Sequence, residues 1–428
     1  MAFVKDMWTD VVRDDDGEIV RNKKGQPVRE KNERWGKGKR WLAGWIAPNG
    51  KERTRAFAIK VDAETHAKAM DTDAARGDYM DPKAGDKPLG PYLKLHLATT
   101  KDKDPASYEI YEQTIRLHLN PTFEKWPVKN ITVTDVLNWM EEFSGTHGAT
   151  TVGRGLHLLR NSLDIAVDDG AIKKNPARAK SVKMPKRAAT EITIWQDEQL
   201  QGVLDFHRTY RDGVFLPVPV IGVSCGARQG EIFALAEGDF DEEFLYIRRQ
   251  IKKFDSGDFV FALPKNDKSR QAPMPPETYR MLREHIDKHG AHPITLPWEK
   301  TDGDPVTHNL IFVWTGPRYG LTHMRARLYN ELVWRPALSH AKLAPPPVID
   351  DRGRRKYSNN PRDGMHALRH YYASAMLAEG VAINELADYL GHSTPKVTLD
   401  MYAHLMPNAY RRAVAAASAM LGRFTLAP

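Results

Sequence analysis

"HALRHYYASAML", residues 366–377, sets Leu368, Tyr372, Ala375 and Met376 at helical spacing, an apolar stripe that predicts a core-facing helix. Its first turn conflicts with that stripe. His366, Arg369 and His370 fall within one turn, so at least two of these polar heads share a direction. Three arrangements would account for them: a zinc site, a structural polar network, or a pocket built for an anion. His366 and His370 have the i, i+4 spacing of two ligands, but a zinc protease helix needs Glu directly after the first His, and Ala367 stands there.

The chain around this helix has 428 residues, enough for two or three domains at about 150 residues each. Hydrophobic residues make up 41% and charged residues 28%, an ordinary balance for a soluble globular protein. No stretch reaches the ~18 unbroken apolar residues of a membrane span. The opening "MAFVKDMWTDVVRDDDGEIV" lacks the basic and apolar blocks of a secretory signal. The single cysteine, Cys225, excludes an internal disulfide and fits a reducing cytoplasm. A net charge of +8 favours a polyanionic partner without requiring one.

Near the N-terminus, "KRWLAGWIAPNGKERTRAFAIK" holds two strand-like runs, 40–47 and 53–60, around the hairpin signal Asn49-Gly50. Residues 1–12 supply a third strand across a long polar loop. Arg53 and Arg55 alternate and share a face, as Trp41 and Trp45 do, and Arg40 opens the first run. A basic ribbon carrying aromatics suits a DNA groove, although a solvated edge kept soluble by charge explains it as well. A helix follows, with Asp62 as its cap.

Residues 88–175 read as largely helical, with Thr132 or Thr134 capping "TVTDVLNWMEEF". Arg154 and Arg160, in "ATTVGRGLHLLRNSLDIAVDDGAI", are candidates for phosphate contact or a solvated charged face. The basic, proline-bearing "NPARAKSVKMPKRAAT" that follows reads as a linker. Beyond it come apolar helices and the strand-like "EEFLYIRRQI", "DFVFALP" and "RQAPMP", expected to form one small sheet. No repeat of 20 to 50 residues is apparent.

In "CGARQGEI", Arg228 stands at a helix start, where it opposes the helix dipole. Either an anion binds there, or Arg228 and Glu231 form a surface pair. In "LADYLGHSTPKVTLDMYAHL", Gly391 ends a helix, His392 follows, Pro395 opens the next, and Tyr402 reads by default as a packing residue.

Taken in order, "GARQGE", "HALRH", "YLGHS" and "TLDMYAHL" resemble the conserved boxes of the tyrosine recombinases of the phage lambda integrase type. Each box alone is weak; four in order are specific. The resemblance extends more loosely upstream. It implies a multidomain fold, mainly α with small β-sheets: a three-stranded β arm-site DNA-binding domain with a following helix (1–80), a helical, SAM-like core-binding domain (81–178), a linker (179–190), and a mixed α/β catalytic domain with a C-terminal helix (191–428).

By the same resemblance, Tyr402 attacks a DNA phosphorus to form a 3′-phosphotyrosyl link, and a 5′-hydroxyl leaves. Arg228 and Arg369 hold the non-bridging oxygens, with guanidinium forks suited to that geometry. His392 donates a further hydrogen bond, and His366 assists the phenolic proton. Lys265, with Lys268 as competitor, protonates the leaving oxygen, while Glu231 braces Arg228. His370 and His404 take structural roles, and Cys225 is a small core residue. The link conserves bond energy, so neither metal nor ATP is implied, and no G-x-x-x-x-G-K-[ST] loop is present.

Double-stranded DNA attachment sites of core and arm type are the implied partners, engaged by a homotetramer through a Holliday junction. An excisionase and a host DNA-bending protein are further expected partners, at the nucleoid in a bacterial cytoplasm. The helix pattern at 408–424 suits docking on a neighbouring protomer or on its own domain. The rival readings are a type IB topoisomerase-like enzyme and a non-catalytic DNA-binding regulator.

Overall fold

The computed structural model describes residues 2–402, apart from 49, 78, 80, 82, 102–104, 187–193, 255, 266, 317–319, 359 and 361–363, together with 414 and 417–422. The chain forms two compact units, Met1–Ala188 and Ala189–Pro428, whose boundary falls in the stretch expected as a linker.

In the first unit, β1 (Phe3–Asp6), β4 (Trp41–Ile46) and β5 (Glu52–Phe57) make an antiparallel sheet in the order β1-β4-β5. Asn49 lies outside the described residues; its neighbour Gly50 has φ +77°, the left-handed backbone expected of that turn. Helix α1 (Lys60–Arg76) packs Ala63 and Ala67 on Ala43, all buried, small residues that let helix and sheet approach closely. Its cap is Ile59, with no side-chain bond, and Asp62 instead sits inside the first turn.

The polar loop between β1 and β4 is an ordered module containing β2 (Thr9–Val11) paired with β3 (Arg29–Lys31). It contains an eight-residue repeat, VRDDDGEI, VRNKKGQP and VREKNERW from Val12, shorter than the 20 to 50 residues of solenoid units. The three leading valines close a ring of backbone bonds: Val12 N–H donates to Val28, Val28 to Val20, and Val20 to Val12, at 2.8–3.0 Å. In the first two repeats Arg13 and Arg21 each close their own turn, donating to the carbonyls of Gly17 and Gly25.

Helices α2 (Leu89–Ala98), α3 (Pro105–Thr114), the short α4 (Asn120–Phe123), α5 (Val133–Thr146) and α6 (Ala149–Asp168) build a separate core. Thr132 caps α5 in a reciprocal box with Asp135. Gly155 lets Trp139 and Phe143 lie flat on α6, since a Cβ there would fall 3.0 Å from the indole.

The second unit opens with α7 (Asp197–Thr209), α8 (Pro217–Cys225) and the single turn α9 (Gln229–Ile232). Strands β6 (Phe244–Ile247), β7 (Gln250–Lys253), β8 (Phe259–Ala262) and β9 (Arg270–Pro273) follow, then α10 (Pro276–His289). Contrary to the single sheet expected, these strands pair as β6 with β9 and β7 with β8. The backbone leaves the β8 ladder at Leu263, whose N–H goes to the Glu299 carboxylate and whose carbonyl takes the Gln250 amide. Pro264 then offers no N–H to continue pairing.

The hairpins β10 (His292–Pro297) with β11 (Pro305–Leu310) and β12 (Val313–Gly316) with β13 (Gly320–His323) come next. Helices α11 (Ala326–Tyr329) and α12 (Arg335–His340), the ladder of β14 (Val348–Ile349) with β15 (Arg355–Lys356), and α13 (His366–Ala378), α14 (Ile383–Leu390) and α15 (Pro395–Tyr402) complete the unit. The apolar α8 lies at the centre, Cys225 included. It meets α13 at Gly222, where a Cβ would fall 2.7 Å from Leu368. That close crossing fixes the end of α8 beside the start of α13. Among the described residues no helix is long and apolar enough to cross a membrane.

Candidate active site

Helix α8 ends at Gly226, in the left-handed conformation at φ +62°, and two residues later Arg228 is extended before α9. Glu231 turns back to meet it. Its Oε2 accepts the Arg228 backbone N–H at 2.7 Å and its Oε1 accepts Arg228 Nη1 at 2.8 Å. The pair is no surface ion pair, because Glu231 is fully buried.

A second guanidinium closes on the same carboxylate. Arg270, on β9, donates Nη1 to Oε1 at 2.8 Å and Nη2 to Oε2 at 2.6 Å, and its Nε to the Tyr389 carbonyl. Burial alone would raise the Glu231 carboxyl; the Arg270 fork and the charges of Arg270 and Arg228 outweigh it and hold the group at about 2. Gly391, after α14, makes room for Arg270: it has φ +65°, and a Cβ there would fall 2.8 Å from the arginine stem.

Arg369 on α13 is 1% exposed and, among the described residues, has no carboxylate bonded to it. Its Nη1 donates to the Gly226 carbonyl at 2.8 Å and its Nη2 to the Leu390 carbonyl, which ties α13 to the ends of α8 and α14. The buried Nε has no partner among the described residues. Burial and the nearby charges of Arg228 and Arg270 push the guanidinium down to about 9. Three guanidiniums thus gather at one buried carboxylate, leaving an excess of positive charge that an anion would neutralise.

Histidines line the same region. His366, His370 and His392 are each lowered to about 4, first by burial and then by neighbouring positive charge that includes Arg369, so all three are neutral near pH 7. His392 Nδ1 lies 2.7 Å from the Thr398 hydroxyl, which orients the ring. Tyr402, at the end of α15, is fully buried, and burial raises its phenol to about 12 against the lowering pull of Arg369 and Arg228. Its hydroxyl bonds to His370 Nδ1 at 2.7 Å. The phenolic contact assigned to His366 by resemblance is therefore made by His370; His366 lies edge-on to that ring, with centroids 4.8 Å apart.

The structure brings together Arg228, Glu231, His366, Arg369, His392 and Tyr402, and adds Arg270 and His370. Sequence reasoning missed Arg270, although a charge at an inward strand position next to apolar Ala272 is a signal for a buried partner. Lys265 and Lys268 are both exposed in the β8–β9 loop, and Arg270 is the basic residue of that segment that enters the cluster. His404 and most of 408–424 lie outside the described residues.

The candidate DNA contacts of the first unit divide differently. Arg53 and Arg55 do share a face, but it is the face that α1 covers, and Arg53 pairs with Asp81. Arg55 is exposed beside the Phe57 ring. Arg40 forks onto Asp6 and sits over the rings of Trp41, Trp8 and Trp35. Arg160 is engaged structurally, donating to the Ala177 and Val182 carbonyls at 2.8 and 2.7 Å, because the chain leaving α6 folds back over it. Arg154 is half-buried on the same helix.

The phage integrase family matches residues 199–409, which include every residue of the cluster. A XerC-like tyrosine recombinase of Caldanaerobacter subterraneus is 23% identical over 397 residues, covering 86% of this chain and 92% of its own. The ICEBs1 integrase of Bacillus subtilis is 21% identical over 333 residues, covering 74% and 78%. The Tn1549 transposon integrase in complex with transposon right-end DNA superposes with TM-score 0.61 at 18% identity, covering 77% of this chain and 99% of that one. A lambda integrase tetramer bound to a Holliday junction gives 0.53 at 13%, covering 84% and 92%. With four ordered boxes folded into one cationic pocket beside a buried tyrosine, residues 199–409 form a phage integrase family domain, and the chain is a tyrosine-type site-specific DNA recombinase.

Proposed function

We propose that this recombinase cuts and rejoins double-stranded DNA through a 3′-phosphotyrosyl bond to Tyr402, and that the exchange integrates a mobile element. One observation carries the reading: buried or half-buried guanidiniums of Arg228 and Arg369 exceed the carboxylate charge around them, next to a tyrosine hydroxyl. A phosphodiester supplies the missing negative charge. As phosphorus becomes five-coordinate, charge grows on its non-bridging oxygens, and fixed cationic donors stabilise that state more than the ground state. Arg228 and Arg369 take those oxygens, His392 donates from a ring held by Thr398, and His366 lines the same wall. Lys265, with Lys268 as its rival, protonates the departing 5′ oxygen. The bond energy stays in the phosphotyrosyl link, so the reaction draws on neither metal nor nucleotide.

The lambda integrase tetramer on a Holliday junction and the Tn1549 complexes with DNA support DNA attachment sites and a tetramer for this chain too. Arm-type sites for the first unit, an excisionase, a host bending protein and residence at the nucleoid rest on the resemblance alone. The test is covalent trapping in EDTA on DNA flanking the gene, nicked to prevent rejoining. A denaturation-resistant adduct in the wild type, absent in Tyr402→Phe, is the expected result. Specific binding with no adduct would favour a regulator, and relaxation of supercoiled DNA without partner exchange would favour a topoisomerase-like enzyme.

A further inference from the structure

The Tyr402 phenol is sealed from solvent, so no bulk water is at hand to take its proton. Among the described residues, the one polar side chain bonded to it is His370. That residue comes directly after Arg369 on α13, and the rings of His370 and Tyr402 lie 5.7 Å apart at 60°, edge toward face. In the tautomer protonated on Nε2, the neutral imidazole presents a lone pair at Nδ1, and the phenol then donates while His370 accepts. The groups facing His370 are His366 and Arg369 from its own helix, His392 beyond α14, and Tyr402 from α15. None of these is a carboxylate, and among the described residues only His370 is bonded to the reacting oxygen.

We propose that His370 is a further catalytic residue of the Tyr402 reaction, accepting the phenolic proton as the oxygen attacks phosphorus. The assignment rests on Tyr402 being the nucleophile. In the forward step the Tyr402 O–P bond forms and the P–O5′ bond breaks. The phenolic proton passes to His370 Nδ1, and the departing 5′ oxygen takes a proton from the general acid. On rejoining, the 5′-hydroxyl attacks and returns its proton to that acid, while the tyrosine oxygen leaves and recovers its own from His370. Protons and bonds balance, with no outside reactant. The imidazolium formed is unfavourable beside Arg369 alone, but a bound phosphate supplies the counter-charge when the proton arrives.

The test is single-turnover adduct formation on nicked duplex from the flanking DNA, with DNA affinity and thermal midpoint measured for each variant. His370→Asn is the decisive variant, because its amide oxygen can replace Nδ1 as a hydrogen-bond acceptor but holds no proton near neutral pH. His370→Asn and His370→Ala are expected to bind DNA like wild type and to form adduct about 10²-fold more slowly, the low end for general-base catalysis. With sulfur replacing the bridging 5′ oxygen the leaving group needs no acid; a Lys265→Ala defect should then recover while the His370→Asn defect persists. Wild-type rates in His370→Asn would reduce the bond to positioning and overturn the proposal, as would wild-type or faster rates in His370→Ala. A wild-type enzyme that forms no adduct, or a Tyr402→Phe enzyme that still does, would remove the nucleophile assignment itself. That failure is distinct from a Tyr402 adduct forming at full rate without His370.

Discussion

Arg270 and Glu231, 39 residues apart in the chain, meet in a two-point fork at 2.8 and 2.6 Å, and both are almost wholly excluded from water. The same carboxylate holds Arg228, so one buried acid aligns two bases arriving from different elements. Removing one member of such a set leaves the others desolvated and uncompensated. Arg270→Ala is therefore expected to cost about 3–5 kcal/mol of stability. Urea denaturation measures it, and a change below about 1 kcal/mol would mean that water already reaches this carboxylate.

The hold on Arg369 runs through backbone. Its two terminal nitrogens reach carbonyls of Gly226 and Leu390, a span that a lysine ammonium cannot bridge in the same geometry. Arg369→Lys should keep the net charge yet lower the adduct rate by about 10²–10³. Trapping assays check this, and wild-type rates would show that charge alone suffices.

Two glycines keep the packing around these arginines close. At Gly391, positive φ and the nearby Arg270 stem both oppose a side chain; at Gly226, a Cβ would fall 2.5 Å from the Tyr372 ring. Gly226→Ala and Gly391→Ala should each destabilise by roughly 1–3 kcal/mol. Thermal melts report the loss, and an unchanged midpoint in either variant would show that the local backbone relaxes freely.

Stability should fall as pH drops from about 6.5 to 4. His366, His370 and His392, with His207 and His323, are lowered to about 4 in the folded chain, chiefly by burial. Across that window the unfolded chain binds protons that the folded one refuses, so acid favours unfolding. Saturating sulfate should flatten the slope by seating an anion beside the three site histidines and raising their proton affinity. Melting curves from pH 7 to 4 test both effects; a slope that sulfate leaves unaltered would argue against an anion pocket at these residues.

Arg160→Ala should lower stability by about 1–2 kcal/mol while leaving DNA affinity unchanged, because its donors hold the Ala177 and Val182 carbonyls. Affinity measured across a salt series separates a phosphate contact from this brace. Loss of about one unit of salt slope would restore Arg160 to the DNA surface.

Residues whose roles depend on near neighbours were legible in the sequence. Thr132 caps α5, α13 begins at His366, and Gly391 ends α14, because caps, apolar stripes and stop residues act within a turn or two. The ordered boxes told which distant segments converge without telling how. Arg270 and the His370–Tyr402 bond, spanning 39 and 32 residues, leave no periodic trace. Arg53 and Arg160 read as free charges until folding supplied a carboxylate and two carbonyls. The valine ring is invisible in sequence because its closure joins three eight-residue units through backbone bonds.

On the proposed role of Tyr402, its burial inside the fold separates holding DNA from breaking it. With this phenol as the attacking group, a molecule that merely lands on a chromosome carries a weapon still sheathed. Stray contacts then leave the genome intact, and only a target that seats a phosphate beside the buried phenol is cut. Fidelity in such an enzyme is set partly by what remains hidden, so substitutions that loosen the packing around Tyr402 would be expected to show first as indiscriminate nicking.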